Sequence, residues 1–154
     1  MELPYMRRLS LKLGTLAAAT LLAFTAAPAG SAQAVAPTKA AANAAYFNLR
    51  DITGSDFTLM LNNPEKIKEA RELVRTGEHK IVIGRIVKTS AAYNPQWDFH
   101  VNPDTVSFAD QAIEVCDATI PYTNDHLDEA GGPFLPGLYW CPWTGRLTKE
   151  VSAP

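Results

Sequence analysis

The sequence predicts an α+β domain with a mainly antiparallel sheet and one disulfide, and three observations carry that expectation. Short apolar and β-branched runs recur between turn residues, as strands do. One segment, residues 64–76, places apolar residues at helical spacing between recognisable caps. Two cysteines, Cys116 and Cys141, remain in a chain that reads as exported, where a single bridge is the default.

Tyr46-Phe47-Asn48-Leu49 and Phe57-Thr58-Leu59-Met60-Leu61 flank Asp51-Ile52-Thr53-Gly54-Ser55. Phe57, Leu59 and Leu61 alternate, which predicts a β-hairpin with a glycine-containing loop. Asn63 can cap a helix, Pro64 suits its first position, and Glu65 sits well in the first turn. Ile67, Ala70, Leu73 and Val74 form the apolar stripe of this amphipathic helix, and Gly77 is its stop. Lys80 to Lys88 predicts a central strand, with Gly84 marking a close approach or a bulge. Gln96 to Asn102 sets Trp97, Phe99 and Val101 against Asp98, His100 and Asn102, the alternation of a strand. Val106 to Phe108 and Ala112 to Cys116 predict further strands, with a helical start after Phe108 left open. Thr119 to Ala130 predicts a second, shorter helix that ends at Gly131-Gly132, and Gly145 to Val151 a closing strand.

Residues 1–34 read as a signal peptide: Arg7, Arg8 and Lys12 precede the apolar run Leu13 to Ala27, and Ala32-Gln33-Ala34 is a small-x-small cleavage site. Arg7-Arg8-Leu9-Ser10-Leu11-Lys12 resembles the twin-arginine pattern, and an ordinary secretory n-region fits equally. Residues 35–45 are Ala-rich without apolar periodicity and predict a disordered leader, which leaves 46–154 as one globular domain. Arg7, Arg8, Lys12 and Glu2 leave with the signal and take the formal charge from −2 to −4. So acidic a chain argues against nucleic acid, and the sequence holds no second long apolar segment that predicts a membrane span.

Between Lys88 and Arg146 there is no Lys or Arg, yet eight carboxylates lie there. Either this half offsets the basic Lys66 to Lys88 half, or it presents an acidic face to a cation or basic partner. On a helix Asp125, Asp128 and Glu129 share one face, which makes this segment the candidate for a divalent cation. His100, His126 and Asp128 are the candidate metal ligands; with Glu114 they compose the cluster that a metal-dependent hydrolase needs. No zinc or calcium motif accompanies them. Tyr139, Trp140 and Trp143 in the aromatic run 134–143 either seal a core around the bridge or anchor an interface.

Several strings carry a family resemblance. They are Gly84-Arg85-Ile86-Val87-Lys88, Tyr93-Asn94-Pro95-x-Trp97-x-Phe99-His100, Ala112-Ile113-Glu114-Val115-Cys116-Asp117-Ala118, Asp125-His126-Leu127-Asp128-Glu129, Phe134-Leu135-Pro136-Gly137 and Trp140-Cys141-Pro142-Trp143. Together they resemble small secreted actinobacterial proteins similar to the N-terminal domain of an amoebal calmodulin-binding protein. The resemblance covers the whole domain, implies calmodulin as a partner by family label, and carries over no catalytic residue. The expectation is a secreted, non-enzymatic binding protein without a resident cofactor, contacting an unknown protein or small ligand. Tyr139, Trp140, Trp143, Asp125, Asp128 and Glu129 are its candidate surface. The alternatives are the hydrolase just described and a protease-inhibitor-like protein that presents a disulfide-held loop.

Overall fold

The computed structural model describes residues Asn43–Ala153 of the 154-residue chain. The predicted signal peptide and most of the predicted leader lie outside the described residues. Ala45, placed in the leader by sequence, instead opens the first strand and is buried.

The predicted hairpin forms as β1 (Ala45–Arg50) and β2 (Asp56–Leu61). Its register pairs Phe47 with Leu59 and Leu49 with Phe57, which sends all four side chains to one face. Helix α1 (Pro64–Thr76) matches its sequence boundaries because both caps work. The Asn63 side chain accepts from the amides of Glu65 and Lys66, and Gly77, at φ 71°, donates to the Leu73 carbonyl. Ile67, Ala70 and Leu73 enter the core. The strand β3 (Ile81–Val87) pairs antiparallel with β4 (His100–Val101), β5 (Ser107–Ala109) and β6 (Tyr139–Trp140). The closing strand β7 (Arg146–Val151) pairs with β1, giving a second sheet of order β2-β1-β7.

One core cluster joins the two sheets and α1, with Phe57, Phe99 and Trp140 in mutual ring contact at 5.0 to 5.4 Å between centroids. Alternation along β3 divides its residues: Val82 and Ile86 enter that core, whereas Ile81 and Ile83 pack under the Cys116–Cys141 bridge together with Ala112. Gly84 is the close approach that its position suggested. A Cβ there would come within 2.5 Å of Val101 Cγ1.

Three predicted elements differ. Of Gln96 to Asn102, only His100–Val101 pairs as a strand, because side chains replace the ladder upstream. Trp97 Nε1 donates to the Asp56 carbonyl at 2.9 Å, and the Asp98 amide donates to Asn124 Oδ1 at 2.8 Å. Ala112 to Cys116 contains the 3₁₀ turn Glu114–Cys116 instead of a strand, drawn over β3 by the bridge. Helix α2 spans only Ile120–Asp125, because the amides of Glu129 and Ala130 both turn back to the His126 carbonyl and Ala130 then bridges to Phe134. Asp125, Asp128 and Glu129 therefore share no helix face.

Fully buried Asn94 secures the edge of β2: its Oδ1 accepts from the Thr58 amide at 2.7 Å and its Nδ2 donates to the Thr58 carbonyl at 2.6 Å. The side-chain amide thus stands in for a neighbouring strand. Asn94→Ala is expected to cost roughly 1–3 kcal/mol in a denaturant titration, since both backbone groups lose their partner. An unchanged midpoint would contradict this placement.

Tyr93, in the same loop, packs on Tyr46 with ring centroids 5.4 Å apart, and burial pushes its phenol up to about 12. The folded state then holds this proton more tightly than the unfolded chain does. Its contribution to stability is complete below pH 10 and is lost as pH rises towards 12. Tyr93 should be the last described tyrosine to form phenolate absorbance, and Tyr93→Phe should flatten the alkaline loss of stability.

Candidate ligand-binding site

The sequence-predicted site residues do not converge. His100 Nδ1 donates to the Thr89 carbonyl at 2.7 Å, while His126 Nδ1 donates to the Tyr122 carbonyl at 2.9 Å and its ring stacks on Tyr122 at 4.0 Å. Glu114 and Asp128 are exposed on separate turns. Among the described residues, no group of three or more His, Cys, Asp and Glu side chains is placed to hold a metal ion. The two charge-segregated halves also fail to neutralise each other. Among the described residues only Lys80–Asp110, at 2.6 Å, joins them by an ion pair, and the exposed carboxylates of 125–129 form none.

The aromatic run separates into core and surface. Trp140 is 0 % exposed and donates from Nε1 to the Ala118 carbonyl at 2.8 Å, so it is a core residue and not part of a contact surface. The alternation of β6 turns its neighbour Tyr139 outward, where Arg85 lies over the ring at 5.7 Å. Trp143, beyond the bridge, is 37 % exposed.

Trp143 walls the best-formed concavity among the described residues, an open cavity of about 460 Å³. Arg50, Asp51, Ile52, His79, Thr144, Arg146 and Thr148 complete the lining. The hairpin turn supplies Ile52, 77 % exposed, and the start of β7 supplies the polar wall. An apolar surface with a few placed polar groups is the usual composition of a ligand site, and this volume lies in the usual range.

The frame is held from several sides. The Trp143 amide donates to Asp117 Oδ1 at 2.9 Å, one residue beyond the bridge, and the Ile52 amide donates to Thr144 Oγ1 at 3.3 Å. His79 Nε2 donates to the Gly145 carbonyl at 3.1 Å. Asp51 is buried with its carboxylate turned inward: Oδ2 accepts from the Ile120 amide at 2.7 Å, and Oδ1 accepts from both the amide and the hydroxyl of Thr53. Arg50 grips Asp56 in a two-pronged pair of 2.7 and 2.6 Å. That guanidinium, helped by the Asn48 amide, lowers the Asp56 carboxyl to about 2.

Sequence reasoning missed Ile52, His79 and Arg146. Ile52 did carry a signal, as a bulky β-branched residue in an otherwise polar hairpin loop. His79 and Arg146 carried none, since they lie 67 residues apart and meet only through the fold.

No curated protein and no solved structure matches the chain. The model of the N-terminal domain of the calmodulin-binding protein 74 family matches residues 43–154, and the chain belongs to that family.

Proposed function

We propose that this is an exported, non-enzymatic binding module whose contact site is the Trp143 pocket. The observation that carries the reading is the pair of exposed apolar walls, Ile52 and Trp143, on a frame held by hydrogen bonds. A wall fixed before binding saves the ordering cost that a mobile loop would incur. Export rests on the signal-like segment 1–34 and is supported by the bridge, which persists in oxidising compartments. Tyr139 and the exposed Ile113 and Val115 are further apolar surface for a larger partner.

The family relationship points to a calmodulin-binding-protein-related role. Calmodulin takes amphipathic helices by their apolar face. In α1 that face, Ile67, Ala70 and Leu73, is spent on the core, so recognition through α1 would require the helix to undock. The pocket needs no such rearrangement.

The test is a fragment panel of neutral, anionic and cationic small molecules followed by amide and indole NMR of the protein. Binders are expected to shift Trp143 and Ile52 first, and Trp143→Ala should weaken them about tenfold or more. Shifts centred elsewhere, or full binding by Trp143→Ala, would overturn the reading.

A further inference from the structure

Two arginines face each other across the rim of this pocket. In the β1–β7 ladder Arg50 stands opposite Arg146, and both side chains line the same cavity. Like charges directly opposite on paired strands destabilise a sheet. Asp56 neutralises Arg50 through its two hydrogen bonds. Nothing does the same for Arg146: among the described residues it forms no ion pair. The one carboxylate in the lining, Asp51, is buried and committed to the Ile120 and Thr53 amides. The pocket is therefore a locally cationic opening in a net acidic chain, beside an apolar wall. A local rule broken without internal compensation is expected where a ligand supplies the compensation.

We propose that the pocket binds an apolar monocarboxylate. Its apolar group lies against Ile52 and Trp143, and its carboxylate is held by the two-pronged guanidinium of Arg146. Guanidinium matches carboxylate geometry with two parallel N–H donors, and such charge-assisted bonds are about twice as strong as neutral ones. This assignment rests on the reading of the Trp143 pocket as the contact site. The same chemistry has two sources, a free aromatic or aliphatic acid and the C-terminal residue of a peptide chain.

Titration calorimetry and Trp143 indole NMR of the full protein can test it with three probes: N-acetylphenylalanine, its primary amide, and 3-phenylpropanoate. Both acids are expected to bind and the amide about tenfold or more weakly, the discrimination that a charge-assisted bond provides. Arg146→Gln should remove the preference for acid over amide while leaving the melting temperature unchanged or higher, since one of two opposed charges goes. Binding of N-acetylphenylalanine alone assigns the site to peptide termini, and equal binding of both acids assigns it to small acids. An amide that binds as well as the acid, or an acid preference that survives Arg146→Gln, overturns the carboxylate assignment and leaves the Trp143 site standing. Absence of any indole shift with all three probes overturns the carboxylate assignment too. The fragment panel then decides separately whether Trp143 is a contact site.

Discussion

Trp140→Ala is expected to cost about 3–5 kcal/mol, a large share of the 5–15 kcal/mol that stabilises a typical domain. Trp140 is fully buried and meets Phe57 and Phe99 edge-on at 5.3 and 5.4 Å, so its loss opens a cavity where both sheets meet. The substitution also strands the buried Ala118 carbonyl, which accepts from Nε1 at 2.8 Å. In a domain of this size the melting temperature should fall by roughly 10–30 °C. Trp140→Phe separates the two contributions, because it keeps a ring in the core and loses only the donor. It should cost roughly 1–3 kcal/mol. A Trp140→Ala protein that melts within a few degrees of the parent would remove Trp140 from the centre of the core.

The Cys116–Cys141 bridge carries the second large effect. It spans 25 residues, and loss of so long a closed loop is expected to cost about 3 kcal/mol through the freed unfolded chain. Cys116→Ala with Cys141→Ala should show this as a lower denaturant midpoint, and reduction of the parent should reproduce most of it. A local consequence distinguishes this change from general destabilisation. The bridge holds Ala112 to Cys116 over Ile81 and Ile83, and the next residue, Asp117, fixes the Trp143 amide. Ligand shifts at Trp143 should therefore weaken in the double variant while it is still folded, at temperatures well below its melting point. Undiminished binding there would show that the pocket does not depend on the bridge.

Local grammar made much of the framework legible. The hairpin was readable from the alternation of Phe57, Leu59 and Leu61, α1 from Asn63, Pro64 and Gly77, and β3 from its β-branched run. Each of these follows from contacts within about a dozen residues. The failures share a different physical character. Ala112 to Cys116 alternates like a strand, yet its outward Ile113 and Val115 find no neighbouring strand, and the bridge pins the segment as a 3₁₀ turn. The polar stretch after Asp125 has no apolar stripe to dock, so α2 stops where packing ends.

The sequence by itself determined the α+β class, the principal helix, the family strings and the cysteine pair, because cap chemistry, side-chain periodicity and residue identity are local properties. Only the tertiary structure decided which tryptophan is core and which is surface. Trp140 and Trp143 sit three residues apart in the same aromatic run, and strand pairing with Gly84 turns the first inward while the second lies beyond β6. The pocket likewise exists only in three dimensions, since Arg50, His79 and Arg146 are distant in sequence and a strand register with a bulge brings the two arginines face to face. Register is set by the summed burial of whole strands against each other, a quantity that no single stretch of sequence contains.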